Sequence, residues 1–139
     1  MIENFIDNHK RIIFSLQKAD FEARALAVFR FQAIHNPVYK SYLQQLEVAI
    51  EKVQKLTQIP FLPIEFFKTH QVLTGNPVIE EIFESSGTTG QVRSRHLVAD
   101  TNFYKRVCQH IFEDIYGKIS EFSILALLPS YLERDNSSL

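Results

Sequence analysis

At 139 residues the chain fits one domain with room for a substantial core, and 45 % apolar against 22 % charged residues is the balance of a soluble globular protein. A formal net charge of −1 argues against nucleic-acid binding, and a single cysteine, Cys108, excludes an intrachain disulfide framework and fits a reducing compartment. No apolar run approaches the roughly 20 residues of a membrane span, and Glu3, Asp7 and Lys10 interrupt any signal-like start, so a cytoplasmic chain is expected. Twelve phenylalanines and no tryptophan predict an aromatic-rich core in preference to a large apolar pocket.

The first 18 residues predict a short helix followed by a less regular segment. Asp20 is placed to cap a helix over Phe21 to His35, whose apolar positions Phe21, Ala25, Val28, Phe29, Phe31, Ala33 and Ile34 surround most of its circumference and predict deep burial. Asn36-Pro37 ends that helix and starts another, asparagine as N-cap and proline at the first helical position. Tyr39, Leu43, Leu46, Ile50 and Val53 recur at three- and four-residue spacings, predicting one packed helical face. Pro60 and Pro63 break the pattern; one helical turn at Ile64 to Lys68, a strand at Gln71 to Leu73 and a turn at Gly75-Asn76-Pro77 follow. A strand over Val78 to Phe83 should return at Arg95 to Val98. Asp100 then caps the clearest helix, with Phe103, Val107, Ile111 and Ile115 in one row, Tyr104, Cys108, Phe112 and Tyr116 beside it, and Gly117 at its end. Phe122 to Leu128 predicts a buried strand, parallel to a neighbour because a helix precedes it, and Pro129 stops it. The expected class is α/β: helices over 1–58, then part of a mixed or parallel sheet over 59–139, in a single domain.

Between the two central strands lies Ser85-Ser86-Gly87-Thr88-Thr89-Gly90. Glycines let successive N–H groups point into one concavity and the hydroxyls add donors around it, a combination suited to a polyanion such as the phosphates of a nucleotide. The P-loop signature differs, since it needs a Lys-Ser/Thr pair and a helix start after the second glycine. A ligand-free Ser/Thr/Gly hairpin is the alternative.

These residues resemble the phosphate-binding loop of adenylate-forming enzymes, Thr/Ser-Ser-Gly-Thr-Thr-Gly-x-Pro-Lys-Gly. Upstream, Ile59-Pro60-Phe61-Leu62-Pro63-Ile64-Glu65-Phe66-Phe67-Lys68 is similar to the acyl-protein synthetase branch of that superfamily, which includes the synthetase of the bacterial bioluminescence fatty-acid reductase. Downstream, Leu128-Pro129-Ser130-Tyr131-Leu132-Glu133-Arg134 resembles the segment after the next core strand. The likeness runs from about Leu56 onward and departs from the pattern after the loop, where Pro-Lys is missing and Arg93 and Arg95 are the nearest cations. It implies the incomplete N-terminal region of an adenylate-forming fold, with Ser85, Ser86, Gly87, Thr88, Thr89 and Gly90 holding the β- and γ-phosphates of ATP and Mg²⁺ offsetting their charge. A fatty or other carboxylic acid would be the substrate, and a protein thiol, coenzyme A or another group the acceptor. The superfamily's metal-ligating glutamate, ribose-binding aspartate and catalytic lysine have no positions here, so no catalytic residue is assigned and isolated activity is not expected. A non-catalytic docking module with a vestigial loop is the rival from a different class.

The remaining reactive side chains carry less. Cys108, in an apolar row, reads as a buried structural cysteine. His9, His35, His70, His96 and His110 show no metal-ligand spacing; His110 should be solvated and His96 lies near the loop. Glu80, Glu81 and Glu84 flank the loop and suit phosphate only if they face away or meet Mg²⁺. Tyr131 could line an acyl pocket or cover the sheet, and a truncated sheet edge could self-associate.

Overall fold

The computed structural model describes residues 2–85 and 92–125, and the chain divides into two compact units, Met1–Pro77 and Val78–Leu139. The first unit is helical: α1 (Ile2–Ile12), α2 (Phe21–His35), α3 (Pro37–Gln45) and α4 (Phe66–Thr69), with two 3-10 turns between α1 and α2, two between α3 and α4, and Asn36 alone between α2 and α3. Its core is Leu26, Phe29 and Ala33 from one face of α2, Tyr39 and Leu43 from α3, and Val53 from the segment beyond. Burial of α2 is narrower than its composition predicts, because Phe21 and Ile34 stay 52 % and 60 % exposed. A second face of α2 meets α1, where the rings of Phe5 and Phe31 stack 4.0 Å apart. Asp20 precedes α2 in a helical conformation and its carboxylate makes no capping bond, so the expected cap is not formed.

The α2–α3 corner is built on Asn36, which is 4 % exposed. Its Oδ1 accepts the Tyr39 N–H at 3.0 Å, capping α3, and its Nδ2 donates to Thr74 Oγ1 at 3.4 Å. The Gly75 N–H donates to the His35 carbonyl at 2.8 Å. Residues 71–73 are not a strand: the segment they belong to is tied to the end of α2 instead of pairing with an extended neighbour.

Nor does the seam from Tyr39 to Val53 form one helix. After Gln45 the Val48 N–H donates to the Leu43 carbonyl and the Glu47 N–H to the Gln44 carbonyl, at 3.0 and 3.1 Å, with Glu47 at φ 53°. That pair of bonds is a Schellman motif with glutamate at the left-handed position glycine usually takes. Beyond it Val53 still reaches the core, because the backbone turns back: Arg30 Nη2 donates to the Val53 carbonyl at 3.1 Å, and the Leu56 N–H to Glu22 Oε1 at 2.8 Å. The proline segment is held by the Tyr39 hydroxyl, which donates to the Pro60 carbonyl at 2.6 Å; burial first, and Tyr42 beside it, push its pKa up to about 12.

The second unit holds β1 (Glu81–Glu84), β2 (Arg95–Val98) and α5 (Thr101–Tyr116). Asp100 caps α5 by accepting the Phe103 N–H at 2.7 Å, and Gly117 ends it at φ 94° with its N–H on the Glu113 carbonyl. β1 and β2 pair antiparallel. Among the described residues the fold is therefore helix-rich with one two-stranded antiparallel sheet, not the mixed or parallel sheet expected. Phe122–Leu125 is not a buried strand: it follows a 3-10 turn, and Leu125 is 95 % exposed. Ala126 to Leu128 lie outside the described residues. No helix among the described residues is long and apolar enough to cross a membrane.

A left-handed conformation costs a residue with a Cβ about 1–2 kcal/mol that glycine escapes; Glu47→Gly should stabilise the first unit by about 1 kcal/mol, raising its melting temperature by about 5 °C in calorimetry. His9 Nδ1 is buried without a hydrogen-bond partner, and burial, then Arg24, hold its pKa below 6.5. The folded state thus binds fewer protons than the unfolded one, so this contribution is complete above pH 6.5 and is lost as pH falls towards the lowered folded value. Denaturation midpoints measured across that window should fall with pH, and His9→Phe should flatten the slope.

Candidate functional site

The strand–loop–strand frame around the Ser/Thr/Gly segment is present. Its register pairs Glu81 with Val98, Ile82 with Leu97, Phe83 with His96 and Glu84 with Arg95. Beyond the last pair the Ser85 N–H donates to the Ser94 carbonyl at 3.0 Å, and the Ser94 N–H to Ser85 Oγ at 3.1 Å. Ser85 therefore closes the frame, with its hydroxyl oxygen occupied by Ser94. Ser86, Gly87, Thr88, Thr89 and Gly90 lie outside the described residues.

Period-two alternation separates the two faces of this hairpin. On one, Phe83 packs against Tyr104 of α5 with ring centroids 5.0 Å apart, and Val98 is buried. His96, opposite Phe83, belongs to this face, a pairing that the register supplies. Ile82, Glu84 and Arg95, from the other face, line a shallow depression of about 300 Å³ that Ile79, Glu80 and Glu81 at the strand's start also border.

Each flanking glutamate has a defined partner. The Thr101 N–H and hydroxyl both donate to Glu80 Oε2, at 2.9 and 2.7 Å, at the N-terminus of α5, where a carboxylate is favoured by the unpaired amides and the helix dipole. Glu81 Oε1 accepts the Ile82 N–H at 3.2 Å. Glu84 lies between two arginines, Arg93 Nη1 at 3.4 Å from Oε2 and Arg95 Nε at 3.9 Å from Oε1. The tip thus carries two positive charges against one negative. Sequence reasoning singled out both arginines; it missed that Glu80 caps α5, although Glu80 and the Asp100-Thr101 pair sit where crossing strands would bring them together.

Cys108 is exposed, against the expectation of a buried position. α5 spans about 24 Å, whereas a four-residue strand covers about 13 Å, so the last turns of the apolar row, beyond Cys108, outrun the sheet. Past the strands Ile111 and Ile115 are also exposed, while Phe112 packs edge-on to Phe122 at 5.4 Å. Burial first, and Cys108 one turn on, raise the pKa of Tyr104. His110 is partly exposed and lies 3.6 Å from Asp114, close to the solvated setting expected for it. Tyr131 lies outside the described residues. No cluster of three histidine, cysteine, aspartate or glutamate side chains able to hold a metal occurs among the described residues.

No protein-family model, no curated protein and no solved structure matches the chain.

The double cap on α5 is open to measurement. Asp100→Ala should lower the stability of the second unit by about 1 kcal/mol, and Glu80→Gln, which keeps an acceptor but removes the charge, by about 0.3–1 kcal/mol. Because both act on the first turn of α5, their effects in urea melts followed by circular dichroism should not add.

Proposed function

We propose that the hairpin holds the triphosphate of ATP in an enzyme that activates a fatty or other carboxylic acid as its acyl-adenylate, in the manner of the acyl-protein synthetases that its sequence resembles. The observation that supports this most is the frame itself. Two antiparallel strands close at Ser85 and Ser94 around a segment of two glycines, one serine and two threonines, with an excess of positive charge at the mouth. In this reading the carboxylate of the acid attacks the α-phosphorus, the bond to the β-phosphate oxygen breaks and pyrophosphate leaves. The protein's part is positioning and stabilisation of charge on the phosphoryl oxygens. Backbone N–H groups of the 86–90 segment and the hydroxyls of Ser86, Thr88 and Thr89 would hold the β- and γ-phosphates, since the Ser85 N–H is already given to the Ser94 carbonyl, and Mg²⁺ would offset the phosphate charge. The acyl group then passes to a protein thiol, or to coenzyme A in a ligase of the same superfamily. Cytoplasmic residence belongs to this reading too.

A docking module is the second reading, favoured by the apolar side chains that Ile111, Ile115, Tyr116, Ile124 and Leu125 expose on the second unit. Titration with ATP and Mg²⁺ separates the two. Joint Thr88→Ala and Thr89→Ala substitution should weaken nucleotide binding about 10-fold or more, since each hydroxyl donates to a charged oxygen. Unchanged affinity, or no binding by the parent chain, would favour docking.

A further inference from the structure

The ion pairs at the hairpin mouth are of a kind that opens easily. Arg93 and Arg95 are 46 % and 51 % exposed, Glu84 is 28 % exposed, and the separations are 3.4 and 3.9 Å. Bridges this long and this solvated contribute little to stability. Their chemistry is nonetheless specific. A guanidinium presents a planar fork of donors that a phosphate accepts as readily as a carboxylate does, and a phosphate chain brings more charge. One carboxylate shared by two guanidiniums also satisfies neither fully, at distances well beyond the 2.7–2.9 Å of a tight charge-assisted bond. Glu84 and Arg95 are cross-strand partners on the hairpin face opposite Phe83 and Val98, so the exchange needs no rearrangement of the packing against α5.

We infer that Glu84 is an internal counterion of Arg93 and Arg95, and that a bound phosphate chain takes its place at both guanidiniums. This rests on the phosphate-holding reading above and adds to it a residue that sets affinity by competing with the ligand. Arg93 and Arg95 become ligand donors, while Glu84 keeps them aligned and neutralised when no anion is present.

Calorimetric titration of the 139-residue chain with inorganic tripolyphosphate, then with ATP and Mg²⁺, tests it. Glu84→Gln should tighten tripolyphosphate binding by about 3- to 10-fold and steepen its salt dependence, because the site gains one uncompensated charge. Glu84→Asp, which retains the charge, should stay within about twofold of the parent chain, and joint Arg93→Gln and Arg95→Gln should weaken binding about 10-fold or more. The Arg95 Nε–H resonance of the parent chain should move on addition of tripolyphosphate, a readout that does not depend on any variant folding. Unchanged or weaker binding by Glu84→Gln with a native circular dichroism spectrum, or an Arg95 resonance that stays still while tripolyphosphate binds, overturns the counterion. If the Thr88/Thr89 pair nevertheless controls ATP affinity, the phosphate-holding reading survives that result. Failure of the parent chain to bind either tripolyphosphate or ATP with Mg²⁺ removes both.

Discussion

Everything proposed for this chain depends on four cross-strand pairs, from Glu81–Val98 to Glu84–Arg95. They fix where the Ser/Thr/Gly segment leaves the sheet and where it returns. A slip of β1 by one residue would turn each of its side chains to the opposite face. Phe83 would leave Tyr104, and Glu84 would turn towards α5 and away from Arg95. The apolar contacts on one face therefore determine the ionic arrangement on the other.

The first unit has its own organising residue. Asn36 is a polar side chain in an apolar interior, and its amide is used at both ends, capping α3 and donating to Thr74. Leaving such a group unpaired would cost about 1–3 kcal/mol, so the corner and the 74–75 segment are mutually required. Tyr39, three residues on, extends the same logic to Pro60. Long-range order in this unit is carried by a few side chain-to-backbone bonds laid over a core centred on α2 and α3.

Local signals with a direct steric or capping cause were legible in the sequence. Asn36-Pro37, Asp100 and Gly117 each mark a helix end at the residue expected, and the bounds of α2 follow. The two central strands were legible as well, though β1 begins three residues later than the apolar run. What failed depends on partners. The Tyr39–Val53 spacing was read as one helix, but a Schellman turn at Glu47, without the usual glycine, interrupts it while Val53 still packs where a helical residue would. Gln71–Leu73 and Phe122–Leu125 have strand-like composition, which does not reveal whether a neighbouring strand exists. Cys108 was judged from its row on the helix, and membership of an apolar row does not fix what packs over each turn of it. At the candidate site, the loop and both arginines were legible, but the pairing of Glu84 with them and the service of Glu80 to α5 needed the strands to be brought together.

The attachments of β1 to α5 have a mechanical consequence. Glu80 is fastened to the first residue of the helix and Phe83 rests on Tyr104 one turn further along, so strand and helix bend together. A pull on the serines at the open end is delivered through that lever to the first turns of α5. The Phe83–Tyr104 ring contact sits at the fulcrum and is the packing through which load on the hairpin would reach the helix.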